Sequence, residues 1–474
     1  MFSLPFRLRS RWRVAFSGRV YWRALLVGTA LLTASALGAQ SVPTRADTAG
    51  RDSLARAAAA DSLAARLSRA EANIALLRQQ LATEASTQLR LRSRLQLELH
   101  ARLLTNLFRT SAASNNSEVP MFGQAPSAAS DKFGSAGGGA LGLSVRQTTM
   151  GASVSVDSVV GATFTADFEL DFFGGFAADG APLFPPPRLR TARGFLHWPH
   201  AELMVGADTP LISDLDPVGV AALGIPNFVA AGNLWNWLPQ VRLTRELGLL
   251  RARDHTVSLA LQVALISPFT GDRHVAETAG VDAGVRAGRP SIQGRMRARW
   301  GLEHEPTTSQ HIGDRGGEVG VGGHRGWLRI DGDSLTSSWA VSADARLGLS
   351  HGFELRGEAY RGRILRGLGG GGIGQNFAPA VSGASVGDPL TDTAGWLQLN
   401  AQLRTTLIAG TGCGTDRVHN GKPVRQRNSA CAVHVEWRPA SPLLLGFEYR
   451  AIGTRGPGGT YRVRHLNLAF GIEL

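Results

Sequence analysis

Alternation of apolar and polar residues governs roughly the last 335 residues of this 474-residue chain. In residues 257–265 every odd-numbered position is Val or Leu, and the positions between are Ser, Ala or Gln. In residues 164–172 the even positions are apolar, whereas the odd ones are Thr, Asp or Glu. A period of two places successive side chains on opposite faces of a strand. Similar segments recur to Leu474, so the sequence predicts many strands with one apolar and one polar face.

Strands of this kind suit a closed barrel whose outer face meets lipid and whose inner face encloses water. An open sheet in lipid would leave backbone groups unpaired, whereas closure pairs them. We expect an all-β transmembrane barrel over residues 140–474, with about 16 antiparallel strands because bacterial barrels have even counts. A soluble β-sandwich or propeller is the alternative, although no blade-length repeat is present. Six tryptophans are expected near strand ends at the lipid headgroup level: Trp198, Trp300, Trp327, Trp339, Trp396 and Trp437.

Residues 1–39 have the pattern of a secretory signal peptide. Six arginines precede an apolar run over residues 24–36, and small residues follow at plausible cleavage points after Ala36 or Ala39. The run is too short to cross about 30 Å of hydrocarbon as a stable helix. An uncleaved inner-membrane anchor is the alternative. We therefore expect export to the cell outer membrane.

The formal net charge of +13 overstates how basic the exported chain is. Six of these charges are the arginines of residues 1–39, so the rest of the chain carries +7. Nucleic-acid binding requires basic residues clustered in one patch or stripe, and no segment shows such an excess. This composition excludes a nucleic-acid partner.

Residues 53–109 contain neither Gly nor Pro and are rich in strong helix formers. Seven apolar residues follow at alternating three- and four-residue steps, as on the seam of a coiled coil: Ala60, Leu63, Leu67, Ala70, Ile74, Leu77 and Leu81. Four more leucines, Leu91, Leu95, Leu99 and Leu103, then follow at four-residue spacing. We predict a periplasmic coiled-coil helix over residues 40–110 that self-associates as a trimer. A single helix that folds back or packs against the barrel is the alternative.

Residues 111–139 are rich in Ser, Asn and Gly and predict a linker. The longest early connection within the barrel is residues 210–238, which contain Asp214 and Asp216. We expect part of it to fold into the pore as a constriction loop. An extracellular loop or a latch between protomers is the alternative.

Arginines and acids recur at positions predicted to face the lumen. A guanidinium group binds a carboxylate or a phosphate at two points. Rings of arginine side chains around a pore favour the passage of anions. Alternatively, arginines and acids pair with each other and brace the wall. The predicted pore-lining residues are Arg188, Arg190, Arg242, Arg295, Arg297, Arg299, Asp167, Glu169 and Asp171, with Arg346, Arg356 and Arg404 farther along.

The two cysteines, Cys413 and Cys431, predict a disulfide in an oxidising compartment that pins an exposed hairpin loop. Two free thiols are the alternative. The cysteines and distant histidines show no metal-ligand spacing, so no metal is expected. The glycine run at residues 369–374 lacks the Lys-Ser/Thr of a phosphate-binding loop. We interpret it as a flexible loop and expect no cofactor.

Four short segments resemble the DcaP-like trimeric porins. They are Asp-Phe-Glu-Leu-Asp-Phe-Phe-Gly at 167–174, Arg-Leu-Arg at 188–190, Val-Gly at 205–206 and Pro-Gln-Val-Arg-Leu-Thr at 239–244. The resemblance covers roughly residues 160–245. It implies a coiled-coil extension before the barrel and trimeric pores that pass anions such as dicarboxylates. The sequence departs from the family pattern at residues 191–198, so substrate choice does not transfer with the resemblance.

These features together predict an outer-membrane porin, not an enzyme, for small hydrophilic and anionic solutes. Its partners would be outer-membrane lipid and two further copies of the chain. The alternatives are a phosphate-selective porin, a non-conducting barrel that anchors the envelope, and an outer-membrane hydrolase with Ser and His in contact on the barrel wall.

Overall fold

A computed structural model describes residues 88–90, 95–126, 139–174, 185–252, 255–272, 281–301, 312, 316–330, 334–349, 352–380 and 386–474. Strands dominate these residues, and the two α-helices have only four residues each, Ala283–Arg286 and Gly371–Gly374. The strands are β1 (Gln88–Arg90), β2 (Leu95–Thr110), β3 (Ala140–Ser144), β4 (Thr149–Val159), β5 (Ala162–Asp171), β6 (Arg188–Trp198), β7 (Ala201–Asp208), β8 (Leu238–Ala252), β9 (His255–Ile266), β10 (Ser291–Trp300), β11 (Gly317–Leu328), β12 (Thr336–Gly348), β13 (Phe353–Arg363), β14 (Thr391–Arg404), β15 (Leu407–Val418), β16 (Arg427–Trp437), β17 (Leu443–Gly456) and β18 (Gly459–Glu473). Within this part of the chain, no helix is long and apolar enough to cross a membrane.

The strands form a closed antiparallel barrel. From β4 to β18 each strand pairs with the next, and β18 returns to β2 through a register that runs from His465↔Thr110 to Glu473↔Arg102. The short β3 and the longer β4 pair with different halves of β2, so they share one position in the ring. The three-residue β1 pairs only with residues 96–98 of β2, beyond the end of the pairing between β2 and β18, so it adds no position either. The 18 strands therefore occupy 16 positions, which confirms the predicted count.

Connection lengths differ between the two ends of the barrel. At one end, the short-connection end, the links are residues 160–161, 199–200, 253–254, 301–316, 349–352, 405–406 and 438–442. At the other, the long-connection end, they are residues 111–139, 172–187, 209–237, 267–290, 329–335, 364–390, 419–426 and 457–458. Most of the extra chain therefore collects at the long-connection end.

The alternation of apolar and polar residues determines which side chains point outward. In β9, Leu261, Val263 and Leu265 are 41–49% exposed on the outer face, whereas Gln262 and Ala264 between them are buried inside. Outward leucines, valines and phenylalanines of this kind recur from β2 to β18. Exposure of so much apolar surface to water would be unfavourable, whereas the hydrocarbon of a membrane would cover it. The outer face is therefore suited to lipid.

The predicted helix is wrong for its last part, because Leu95–Thr110 is the strand β2. Leu99, Leu103 and Leu107 lie on its outer face. A spacing of four residues is compatible with one face of a strand as well as with one face of a helix. The strand forms because β18 and β4 both need a hydrogen-bonded neighbour there. The coiled-coil seam at Ala60–Leu81 lies outside the described residues.

The predicted linker is also wrong for residues 111–126, which fold into the barrel. Val119 is fully buried against Phe173 and Ile225. Gly123 N donates to Thr454 Oγ1 at 2.8 Å. These polar and small residues fit here because they satisfy hydrogen bonds inside the barrel and do not need to remain in solvent.

The cysteines are bonded to each other within the strands and do not pin a loop. Cys413 of β15 and Cys431 of β16 are directly opposite in the register, and both are exposed on the outer face. The disulfide therefore cross-links two strands that already pair, which corrects the expected position in an exposed hairpin loop.

We predict that Leu399→Arg lowers the free energy of unfolding in lipid vesicles by about 2–4 kcal/mol, the cost of an arginine on a barrel's lipid face. Leu399 lies on the outer face of β14. Denaturant titration measures this change, and Leu399→Met, which keeps the site apolar, is the matched control. Equal stability of the two variants would contradict the assignment of this face to lipid.

Replacing both cysteines by serine should lower the free energy of unfolding by about 3 kcal/mol, because the bond closes a loop with a sequence separation of 18 in the unfolded chain. The same titration measures this loss. Wild-type protein treated with a reducing agent should lose a similar amount. A variant as stable as the oxidised wild type would show that the bond does not constrain the unfolded chain.

Candidate functional site

One connection, residues 209–237 between β7 and β8, enters the barrel, and we call it the inserted loop. Its amides and side chains bond to residues that project inward from distant strands. Ile212 N donates to Gln293 Oε1 of β10 at 3.2 Å. Asn227 Nδ2 donates to Glu448 Oε2 of β17 at 3.0 Å. The inserted loop therefore contacts the inner faces of β10 and β17, which lie far apart in the chain. Whether it constricts a pore, as expected for part of residues 210–238, stays a prediction.

Apolar residues of the inserted loop pack against the inner wall. Leu211 and Leu234 are completely or almost completely buried in one cluster with wall residues. Phe228 stacks on Trp396 with 5.8 Å between ring centroids. Trp396 was expected near a strand end at the lipid headgroup level, but it projects inward from the middle of β14. Its role is to support the loop.

The loop approaches the wall too closely for a side chain at one point. A Cβ added to Gly232 would lie 2.4 Å from the carbonyl carbon of Gly395, and the φ of Gly232 is +117°. Glycine meets both requirements because it lacks a Cβ and adopts positive φ without strain.

Glu358 of β13 holds the start of the inserted loop. Its carboxylate accepts hydrogen bonds from Ser213 Oγ at 2.6 Å and Leu215 N at 2.8 Å. Trp396 Nε1 donates a third at 3.1 Å. Three donors compensate for burying this carboxylate, so Glu358 fixes the loop to β13 and β14.

Arg295 of β10 is buried among three carboxylates instead of lining open lumen. Its guanidinium contacts Asp344 at 2.6 Å, Glu318 at 2.7 Å and Asp214 at 2.9 Å. Asp214 belongs to the inserted loop, so this cluster attaches the loop to β10, β11 and β12. Arg295 was predicted as a pore-lining residue, and its burial makes it an anchor.

The β6 arginines lie on the wall next to the inserted loop. Arg188 contacts Asp171 at 2.5 Å, and Arg190 contacts Glu169 at 2.6 Å. Both also donate to carbonyl oxygens of the loop, at residues 224 and 223. These four predicted residues are therefore brought together as ion pairs that face the interior.

Arg193, three positions farther along β6, joins the same wall. Its guanidinium contacts Asp167 at 3.0 Å and Asp208 at 3.2 Å, and Arg242 reaches the other oxygen of Asp208 at 2.9 Å. Counting alternate residues from Arg188 places Arg193 on the outer face. One extra residue in β6, at the register shift opposite Glu169 and Leu170, turns it inward. No sequence signal marked this bulge.

The remaining predicted arginines are mostly paired as well. Arg297 lies 3.6 Å from Glu246, and Arg299 lies 2.8 Å from Glu318. Farther along, Arg346 and Arg356 share the carboxylate of Glu354 at 2.6 and 2.5 Å. Arg404 is exposed at the short-connection end, after a register shift in β14. Ion pairs within the wall therefore account for most of the arginines that were predicted to line the pore.

A cavity of about 370 Å³ lies between the inserted loop and the wall. Three arginines and three acids line it together with loop residues. Asp216 of the inserted loop is exposed there, in contrast to Asp214. The charged residues are Arg102, Arg190, Arg356, Glu169, Asp216 and Glu473. The cavity is polar and close to neutral in charge, so it suits water and small hydrophilic solutes.

In the described part of the chain, no group of His, Cys, Asp and Glu could hold a metal ion.

The glycine run also enters the barrel, which corrects its interpretation as a flexible loop. Gly372 N donates to Asp392 of β14 at 2.8 Å, and Ile373 N donates to Asp416 of β15 at 2.8 Å. Gly372 and Ile373 both have positive φ, and their successive amides bond to the carboxyl groups of two neighbouring strands. These hydrogen bonds fix the glycine run to the inner wall.

No protein-family model matches the sequence. No curated protein matches it either. Solved structures do match in fold. The outer membrane channel DcaP of Acinetobacter baumannii has a TM-score of 0.60 and 14% identity, covering 81% of this chain and 99% of that chain. OmpF of Salmonella typhi, in complex with daunomycin, has a TM-score of 0.50 and 9% identity, covering 81% and 100%. The predicted resemblance to DcaP is therefore confirmed at the level of the fold, and this chain is similar in architecture to outer membrane channels.

Proposed function

We propose that this protein is a passive channel of the outer membrane for small hydrophilic solutes. The observation that carries the proposal is a closed 16-position barrel, apolar outside and polar inside, with a loop inserted across its interior. Barrels of this size enclose an aqueous passage, and outer-membrane barrels have short periplasmic turns and longer extracellular loops. The long-connection end would therefore face the outside of the cell.

Small anions, such as dicarboxylates, are the solute class that we propose within this function. Arg188, Arg190 and Arg193 support it because their partly exposed guanidinium groups can bind a carboxylate at two points. Each of them already contacts an acid, so we expect a modest preference for anions. A phosphate-selective channel is the alternative, and competition between phosphate and a dicarboxylate distinguishes the two.

Two other functions remain as alternatives. A non-conducting anchor would carry no steady current in a planar bilayer. A hydrolase would need a nucleophile, a base and an orienting group. His324 Nε2 lies 3.0 Å from Ser338 Oγ, but both residues are buried, and the other ring nitrogen faces the amide of Gln293. His197 lies between Thr165 and Glu202, in contacts that neighbouring strands commonly make.

The signal peptide, the periplasmic coiled coil and the homotrimer are part of the same proposal. The sequence pattern of residues 1–110 supports export and self-association of the part that precedes β2. The resemblance to DcaP-like trimeric porins supports three copies. Sedimentation of the detergent-solubilised chain would give the number of copies.

We predict that Arg193→Ser shifts the zero-current potential in a KCl gradient toward cation preference. The change leaves Asp167 and Asp208 with less positive charge beside the lumen. Single-channel recording in planar bilayers measures the shift. Arg404→Ser, which removes an exposed arginine at the short-connection end, is the control and should leave the potential unchanged. An unchanged potential in Arg193→Ser would place this wall away from the ion path.

We also predict that Glu358→Ala makes the current larger and noisier. The change removes three hydrogen bonds, each worth about 0.5–1.5 kcal/mol. The start of the inserted loop then loses its contact with β13. Glu246→Ala is the control, because Glu246 pairs with Arg297 and Ser258 on the wall. Identical currents for the wild type and Glu358→Ala would mean that the loop does not narrow the passage.

A further inference from the structure

Four arginines form a row on the outer face of the barrel at the long-connection end. The register aligns Arg361 of β13 with Thr393 of β14, and Thr393 with Arg417 of β15. It then aligns Arg417 with Arg427 of β16, and Arg427 with Arg455 of β17. All four arginines are exposed. We call Arg361, Arg417, Arg427 and Arg455 the arginine row.

Like charges directly opposite each other on neighbouring strands destabilise a sheet. Arg427 has an arginine opposite it on both sides. Among the residues that the structure describes, no Asp or Glu forms an ion pair with any member of the row, whereas the arginines of the inner wall pair with acids. The positive charge of the row is therefore not neutralised by acids of the described chain, as the charge of the inner wall is. An anion bound from outside would neutralise it.

The positive charge continues beyond the row. Arg462 and Arg464 of β18 and Arg109 of β2 are exposed and outward-facing on the adjoining strands. The chain has only two lysines, so arginine supplies nearly all of its positive charge. Guanidinium forks bind phosphate oxygens at two points, which an ammonium cannot do.

A cavity of about 480 Å³ adjoins the row. Arg417, Arg427 and Arg455 line it together with His419 and neighbouring residues of the 419–426 connection, and no Asp or Glu is among the lining residues. His419 Nε2 lies 2.9 Å from Thr393 Oγ1. Burial, followed by the charges of Arg417 and Arg361, lowers the pKa of His419. The imidazole thus adds a neutral polar group beside the three arginines.

The same strands are apolar on their outer face nearer to the short-connection end. Leu397 and Leu399 of β14 and Val433 and Val435 of β16 are exposed there. The six residue steps from Arg427 to Val433 correspond to about 20 Å along a strand. A molecule lying against this face would meet aliphatic side chains over its length and arginines at one end. That arrangement matches acyl chains and an anionic headgroup.

We propose that the arginine row binds phosphate-bearing anionic lipids of the outer leaflet through their headgroups. Each pair of opposed arginines would hold one phosphate, and the aliphatic band would contact the acyl chains. The inference rests on the proposed outer-membrane location and orientation of the barrel, but not on what the lumen passes, because the row lies on the opposite face of the barrel wall. An acidic segment of a second copy is the competing occupant.

The test compares lipid binding by two matched variants, each of which removes two exposed outward arginines. Arg417→Ser/Arg427→Ser removes the centre of the row. Arg245→Ser/Arg404→Ser removes two arginines nearer to the short-connection end. The probe is diphosphorylated lipid A added to dodecyl maltoside micelles of the purified full chain, with phosphatidylcholine as the neutral comparison. Native mass spectrometry measures the bound lipid, and a cooperative denaturant transition like that of the wild type shows that both variants are folded.

We expect the row variant to bind lipid A at least about tenfold more weakly than the wild type. Each arginine near an anionic surface raises the binding affinity roughly fivefold, and this variant lacks two. The control variant should bind as the wild type does, and added salt should weaken binding. Equal binding by the row variant and the wild type would overturn the proposal. Displacement of lipid A by millimolar inorganic phosphate would overturn its assignment to a lipid. A change of oligomeric state in the row variant alone would favour the second copy.

Discussion

Backbone pairing around a complete ring is the constraint on which the rest of this structure depends. In hydrocarbon an unpaired amide or carbonyl costs several kcal/mol, so a strand can span the membrane only with a neighbour on both sides. The pairing of β18 with β2 supplies the last neighbour. That requirement explains why Leu95–Thr110 is a strand although its residues are good helix formers. It also determines the two faces, because closure leaves one face for lipid and the other for the interior.

The interior is organised by charges that the chain neutralises itself. Arg295 gathers three carboxylates, Glu358 accepts three hydrogen bonds, and the β6 arginines pair with acids of β5. Several of these groups also hold the inserted loop, so the contacts that stabilise the wall determine the shape of the lumen. Outside, no acid of the described residues pairs with the arginine row. The same residue type therefore serves two purposes, bracing the wall inside and presenting positive charge outside.

The sequence predicted correctly the features that rest on a pattern repeated over many residues. It did not predict the features that depend on the register at a single position. The strands were predicted from an alternation that recurs over hundreds of residues, and their number, about 16, from the length of that stretch and the even counts of bacterial barrels. Arg193 was missed because a single extra residue in β6 reverses the faces beyond it. Trp396 and residues 111–126 were misplaced because a residue suited to a strand end or a linker is equally suited to a polar interior. Cys413 and Cys431 were paired correctly by elimination, but their position within two strands depended on the hairpin register.

The sequence by itself determined strands with one apolar and one polar face, because a period of two that recurs over so long a stretch indicates strands and not helices. It also placed the arginines and acids of the lumen on the strands that carry them. Only the tertiary structure decided that the strands close into a ring, which of those charges meet, where the inserted loop attaches, and which of the described arginines lie on the outer face without an acidic partner. These are properties of register and closure, and they arise from residues far apart in the chain whose proximity no local pattern encodes.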